Sequence, residues 1–233
     1  MLLSFILIPF VTALLLLFIK NDKSANTIAI VSTLGTLVAA IVVAGNGAVD
    51  FNAPWIPVLH AQFLLHADGL AKILVLLTAI SFPAIIIATS QNQPKQKNIF
   101  LSLLLFTQCG LMGVFLSGDA LLFYFFWELA LIPVYFLSSI WGGEKRIAVT
   151  FKFFIYTFLG SLMMLIGIIY VYMHTSDQSF LIQSFAKANL TGGQQVTAFA
   201  LFLLHLPSKC PSFLYILGSL MPTSKHQLPS LWL

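Results

Sequence analysis

The stretch ALLFYFFWELALIPVYFLSSI, residues 120–140, decides the fold class of this chain. A helix needs about 20 consecutive apolar residues to cross the hydrocarbon core of a bilayer, and this stretch meets that length. Its only charged residue is Glu128. The stretch therefore predicts a membrane-crossing helix that carries one carboxyl group along its length.

Similar apolar runs recur on both sides of that stretch. They are residues 2–19, 27–44, 70–88, 98–117 and 153–173. A seventh run begins near Val196 and ends after Leu206. We therefore expect an all-α, polytopic transmembrane helix bundle of six full helices with an interrupted seventh. In the connection of residues 45–69, alternation around Phe51–Leu65 predicts a short extended or hairpin element at the membrane surface.

The composition excludes a soluble protein. Hydrophobic residues make up 59% of the chain and charged residues 8%, whereas soluble domains contain about 25% charged residues. The net charge of +4 comes mostly from lysines in short connections, without the basic cluster that nucleic acid requires. We therefore expect the lipid bilayer as a partner and no nucleic acid.

Basic residues mark one side of the membrane. The connections after the first, third and fifth runs carry Lys20, Lys23, Lys95, Lys97, Lys145 and Arg146. The alternate connections carry only Lys187, and Lys72 lies just inside the third run. The positive-inside rule predicts a multi-pass protein with its amino terminus outside.

Glu128 is the first candidate for chemistry. An ionised carboxylate inside a bilayer costs about several kcal/mol unless it is paired or hydrated, so such residues are rare and usually functional. Burial disfavours the charged form, which favours proton exchange near neutral pH. The alternative is an acid that only packs against a partner helix. Pro133 frees the carbonyl of Leu129, which either admits water beside the carboxyl or merely kinks the helix.

Lys152, which we place at the start of the sixth helix, is the second candidate. Its charge either tunes the proton affinity of Glu128 or simply reaches the headgroups along its aliphatic chain. Asp68, just before the third helix, is expected to cap that helix.

Other features argue against a bound cofactor or metal in this chain. Cys109 is expected to be a small apolar helix residue. The five histidines lack metal-ligand spacing, and the sequence has neither a glycine-rich phosphate loop nor a CxxC motif. We therefore expect no metal site, no cofactor site and no redox chemistry in this chain.

Residues 121–168 read LLFYFFWELALIPVYFLSSIWGGEKRIAVTFKFFIYTFLGSLMMLIGI. The segments FYFFWELALIP, WGG and KFFIYTFLGS, in this order, resemble the antiporter-like membrane subunit called chain M, or chain 4, of bacterial NADH:quinone oxidoreductase, which is respiratory complex I. HADGLAKILVLLT, from His66, is similar to the family's entry into the third helix. The resemblance covers about residues 1–203 and is strongest over residues 100–173.

This resemblance implies a subunit of a translocating NADH:quinone oxidoreductase that moves protons while other subunits bind NADH, FMN, iron–sulfur clusters and quinone. The other membrane subunits of complex I would be its partners, and the bacterial inner membrane its location. The family's proton-handling glutamate falls on Glu128. In the family that acid works with a lysine in a broken seventh helix, within a KMP segment.

Two other functions remain open. Related subunits occur in multi-subunit sodium/proton antiporters and in membrane-bound hydrogenases, although ELALIP and WGGEKR favour complex I. The third possibility is a non-catalytic membrane scaffold in which Glu128 only pairs with a neighbour.

The tail departs from the family. We expect residues 1–203 to form the amino-terminal part of the antiporter-like membrane domain and residues 204–233 to be an out-of-frame tail. Codons read two nucleotides into each triplet from Pro207 permit IKMPIFPLYTWLPDAYKQAPT, which resembles the family's KMP…TWLPDA…APT segment. This predicts a frameshift or a sequencing error near residues 202–206. Lys209, in the shifted frame, would not be the family's seventh-helix lysine, and the fragment alone is expected to be inactive.

Overall fold

The computed structural model describes residues 1–47, 49–90 and 94–205. Helices dominate this part of the chain. In order, the elements are α1 (Ser4–Phe18), α2 (Asp22–Ala44), β1 (Val49–Ile56), β2 (Ala61–Ala67), α3 (Gly69–Ser90), α4 (Lys97–Leu116), α5 (Ala120–Trp141), α6 (Arg146–His174), α7 (Ile182–Ala186) and α8 (Gly192–His205).

Within the described residues, five helices, α2 to α6, are long and apolar enough to cross a membrane. The polytopic helical fold is thus confirmed, but the first of the six expected helices is shorter than its apolar run. The helix α1 has 15 residues and spans about 22 Å, against about 30 Å of bilayer core. It ends where Ile19 adopts an extended backbone, with ψ at 115°.

The predicted extended element is a two-stranded antiparallel hairpin, β1–β2. A short 3-10 turn, Pro57–Leu59, and His60 in the left-handed region (φ 52°) reverse the chain between the strands. The Asn52 side-chain amide donates to Gln62 Oε1 at 2.8 Å across the strands. This hairpin lies over the bundle, where β2 contacts α3, α4 and α5.

The helix α4 lies at the centre of the bundle and contacts α1, α2, α3 and α5. Two side chains fix it to the first helices: Ser102 Oγ donates to the Ala13 carbonyl at 2.7 Å, and Gln108 Nε2 donates to Thr36 Oγ1 at 2.9 Å. Many leucine, isoleucine, valine and phenylalanine side chains on the outer faces are exposed, as expected for a surface that lipid covers.

The last described elements cover the outer face of α6. The helix α8 packs against α6, where Gly167 lies beside Leu201 and Phe202. The predicted seventh run is therefore helical from Gly192 to His205. Leu206 and most of the predicted out-of-frame tail, residues 206–233, lie outside the described residues.

Candidate functional site

The site is built around Glu128, near the middle of α5. Its Oε1 atom is buried and has no hydrogen-bond partner among the residues that the structure describes. The helix continues through Pro133 to Trp141. Pro133 has no N–H, so the Leu129 carbonyl lacks its usual intrahelical donor. The Glu128 carboxyl thus lies one residue before the Leu129 carbonyl, which can also accept a hydrogen bond.

One face of α5 is fixed against α4 by two glycines. A Cβ atom on Gly110 would lie 2.7 Å from the Cα of Ala130, and one on Gly113 would overlap the ring of Phe126. Only glycine permits this approach, because any other side chain would need the space that α5 occupies. The α4–α5 contact therefore holds α5 in a fixed rotation about its axis.

That rotation turns another stripe of α5 toward α6. Tyr124 and Tyr135 both lie against α6: the Tyr124 hydroxyl is near the Ser161 side chain, and the Tyr135 ring lies 4.9 Å from that of Phe154, centroid to centroid. With about 100° per residue, positions 124, 128 and 135 fall within about 40° of one another on the helix. Glu128 therefore lies on the stripe of α5 that faces α6.

The facing surface of α6 is polar at this level. Ser161 and Thr157 are fully buried, one turn apart, and the Ser161 hydroxyl donates to the Phe158 carbonyl at 2.9 Å. The Thr157 hydroxyl is buried without a hydrogen-bond partner in the described part of the chain. Two buried polar groups, one from each helix, thus lie in the α5–α6 contact without partners in that part.

Aromatic side chains flank the carboxyl on the other side. Trp127 stacks on Phe123 with 5.8 Å between ring centroids, and the His205 imidazole lies 5.5 Å from the Trp127 ring. His205, at the end of α8, is buried. The last described turn of α8 thus reaches the residue next to Glu128.

The sequence predicted that Lys152 lies at the start of its helix, and this prediction is wrong. The helix α6 begins at Arg146, because the turn at residues 142–145 is shorter than the apolar run suggested. Lys152 therefore lies nearly two turns inside α6, with an exposed side chain. Within the described residues no ion pair joins it to Glu128. Its role in tuning the carboxyl stays a prediction.

Asp119 is a buried polar residue that the sequence did not lead us to name as a candidate. Its side chain is fully buried and accepts three backbone N–H groups: Gln62 at 3.0 Å, Leu121 at 2.9 Å and Leu122 at 3.1 Å. Burial raises the pKa of the Asp119 carboxyl, and these hydrogen bonds partly offset the rise. An acid immediately before an apolar run is a helix N-cap signal that could have revealed it.

The long connections of the chain meet at the end of the bundle where Asp119 lies. The Gly118 N–H donates to the Leu64 carbonyl at 2.8 Å, the Ala120 N–H to the Phe180 carbonyl at 2.8 Å, and the Ile182 N–H to the Gly118 carbonyl at 3.1 Å. The start of α5 is therefore joined both to the hairpin and to the segment after α6. This junction fixes the start of α5 against its neighbours.

Two further predictions are confirmed. Asp68 caps α3, since its Oδ1 accepts the Ala71 N–H at 2.7 Å. Cys109 is an apolar packing residue, 1% exposed, inside α4. In the described ranges, no group of three or more His, Cys, Asp or Glu side chains is placed to hold a metal ion.

Comparison with known proteins shows which family the region around the site matches. Residues 117–217, which include Glu128, match the family described as NADH:quinone oxidoreductase/Mrp antiporter, transmembrane. The NADH-quinone oxidoreductase subunit M of Rhodobacter capsulatus is 33% identical, over 90% of this chain and 43% of that protein. The F(420)H(2) dehydrogenase subunit M of Methanosarcina mazei is 34% identical, over 75% of this chain and 37% of that protein.

The fold agrees with a solved membrane assembly. A chain of respiratory complex I from Thermus thermophilus with bound NADH superposes with a TM-score of 0.78 and 26% identity, over 88% of this chain and 43% of that chain. This chain therefore spans less than half the length of these relatives.

Proposed function

We propose, from its membership in the NADH:quinone oxidoreductase/Mrp antiporter transmembrane family, that this chain is a proton-translocating membrane subunit of NADH:quinone oxidoreductase. The observation that carries the proposal is Glu128. A carboxyl whose Oε1 is buried and unpartnered within the described residues is costly in a membrane protein. Its place inside the family match, residues 117–217, supports a role in taking up and releasing the translocated proton.

The names of the relatives indicate different electron donors. One relative is named for NADH and quinone, and another for F(420)H(2). A domain common to assemblies with different electron donors is suited to proton movement rather than to binding the donor. We therefore propose that NADH, FMN, iron–sulfur clusters and quinone are bound by other subunits, and that other membrane subunits of complex I are this chain's partners.

The proposed location is a bacterial inner membrane with the amino terminus outside. Basic residues gather at the end of the bundle opposite the hairpin, where Lys20, Lys95 and Lys145 lie in short connections. The positive-inside rule assigns that end to the cytoplasm. Lys72, at the hairpin end, has its Nζ bonded to the Asn46 and Gly47 carbonyls at 2.5 and 2.8 Å.

A sodium/proton antiporter subunit is the second candidate, because the matching family is described by both activities. The neighbouring genes distinguish the two: other complex I subunits support the first proposal, and other antiporter subunits the second.

The decisive experiment measures NADH-driven proton uptake in inside-out membrane vesicles from cells that carry a full-length version of the gene. Removing a proton-transfer group costs about 100-fold or more in the rate of the step it serves. We therefore expect Glu128→Gln to abolish measurable uptake while the chain remains in the membrane. Glu144→Gln, which changes an exposed acid in the α5–α6 turn, is the matched control and should pump normally.

Undiminished pumping by Glu128→Gln would show that the residue is structural and would favour a membrane scaffold. Absence of the chain from the NADH-oxidising complex on sucrose gradients would reject the assignment to that complex.

A further inference from the structure

The helices α4 and α6 both begin at the basic end of the bundle, opposite the hairpin. Neither start has a side-chain cap or an acidic residue in its first turn. Each begins instead with a basic residue, Lys97 in α4 and Arg146 in α6. By contrast, Asn21 and Asp119 cap the starts of α2 and α5. A cation is unfavourable at a helix start, because the first N–H groups already carry partial positive charge. Both starts therefore favour a bound anion.

Lys97 is a largely buried basic residue of this end. It is only 8% exposed, and within the described ranges its ammonium has neither an ion pair nor a hydrogen bond. The acids of this end, Asp22 and Glu144, are exposed. Helical side chains tilt toward the amino end of their helix, so that of Lys97 leans over the start of α4. A buried ammonium is costly without a counterion, which indicates an anion at this start.

The Trp141 side chain connects the two helix starts. Its Nε1–H donates to the Lys95 carbonyl at 2.9 Å, and its ring packs edge to face on that of Phe100, with 5.1 Å between centroids. Trp141 ends α5, and Arg146 begins α6 after the turn at residues 142–145. Tryptophan is enriched at the level of lipid headgroups, where its ring is buried and its N–H can form a hydrogen bond. The starts of α4 and α6 therefore lie at the level of lipid phosphates.

Exposed apolar side chains adjoin these starts. Ile140 and Ile147, on the two sides of the α5–α6 turn, are 42% and 69% exposed, and Phe136, one turn before Ile140, is 44% exposed. A phospholipid offers a phosphate to the helix starts and acyl chains to these side chains, whereas inorganic phosphate offers only the first. The surface therefore fits a lipid better than a soluble anion.

We propose that the starts of α4 and α6 form a binding site for the headgroup of an anionic phospholipid. The Lys97 ammonium and the first N–H groups of α4 bind the phosphate, and Lys95 and Arg146 add positive charge beside it. Membrane topology alone does not account for Lys97, because the positive-inside rule depends on the number of basic residues near the helix ends and not on the burial of one of them. The site is independent of the proposed proton transfer by Glu128.

The test is native mass spectrometry of the full chain in a neutral detergent, titrated with phosphatidylglycerol or with zwitterionic phosphatidylcholine. We expect one phosphatidylglycerol molecule to bind at a lower lipid concentration than phosphatidylcholine does. Lys97→Gln should weaken phosphatidylglycerol binding by about fivefold or more, as expected for the loss of one basic residue at a lipid surface. Lys97→Arg keeps the charge and should keep the preference for this lipid.

Lys20→Gln is the matched control, because it removes the same charge from an exposed residue at the same end of the bundle. It should leave the affinity for phosphatidylglycerol unchanged. Equal losses in Lys20→Gln and Lys97→Gln would show a general attraction of the basic end and would overturn the site.

Equal affinities of the unaltered chain for the two lipids would also overturn the inference. Inorganic phosphate in excess should not displace the bound lipid, and displacement would identify a soluble anion as the ligand and reject the lipid site. If Lys97→Gln fails to fold, as judged by helical circular dichroism, the comparison of the two lipids on the unaltered chain and on Arg146→Gln still decides.

Discussion

The Asp119 carboxylate accepts the backbone N–H of Gln62 at 3.0 Å, which joins the start of α5 to the hairpin strand β2. The other oxygen of the same carboxylate accepts the Leu121 and Leu122 N–H groups in the first turn of α5. One buried side chain therefore serves both as a helix cap and as a link between two elements distant in sequence.

Removing this cap should be costly. We expect Asp119→Ala to lower the free energy of unfolding by about 1–2 kcal/mol from the lost cap alone, and further because the Gln62 N–H loses its partner. Thermal unfolding in detergent, followed by circular dichroism, measures the loss. Asp177→Ala, at an exposed acid in the connection after α6, is the control. Equal melting temperatures for the two variants would contradict the role of Asp119.

The pH dependence of the same residue has a definite sign. Burial raises the pKa of Asp119 above its ordinary 3.8, so the folded chain binds this proton more tightly than the unfolded chain. Stability from this group is therefore fully present below pH 3.8 and falls as pH rises through the raised folded-state pKa. Relative to Asp119→Asn, which cannot ionise, the unaltered chain should gain melting temperature as pH falls through that range. A difference independent of pH would contradict this prediction.

The glycines of α4 provide a second test. Gly110→Ala places a methyl group 2.7 Å from the Ala130 backbone, and overpacking of this kind costs about 1–3 kcal/mol. Gly35→Ala is the matched control, because nothing lies within 4 Å of its added Cβ in α2. It should be neutral or stabilise by up to about 1 kcal/mol. Equal effects in thermal unfolding would show that α4 and α5 do not depend on this close approach.

Much of this organisation can be predicted from the sequence, since apolar run length and basic connections are local signals. The runs predict α2 to α6, and Asp68 predicts the cap of α3. The apolar run did not predict that α6 begins at Arg146, because charged residues in the first turn of a membrane helix lie outside the hydrocarbon. The hydrogen bonds of Asp119 and the burial of Thr157 could not be predicted, because they depend on which elements are adjacent in three dimensions.

The orientation of the bundle can be tested by cysteine labelling in intact cells. In a background with Cys109 and Cys210 replaced by serine, Val58→Cys lies at the exposed hairpin turn and Gly143→Cys in the opposite turn. We expect a membrane-impermeant thiol reagent to label the first and to spare the second until the cells are opened. The reverse result would invert the proposed topology.

The reading frame beyond α8 is tested by sequencing codons 200–215 in genomic DNA and in transcripts. We expect a one- or two-nucleotide difference that restores the IKMP reading after Leu206. Close relatives that share the present tail would remove the frameshift hypothesis.

The short connection between α4 and α5 also has a consequence for biosynthesis. Only Ser117, Gly118 and Asp119 separate the two helices, so α5 follows α4 directly in the order of synthesis. When Asp119 emerges from the ribosome, its partner Gln62 already exists, but Phe180 and Ile182, which complete the junction, do not. During translation, the start of α5 can therefore join the hairpin before it joins the segment after α6.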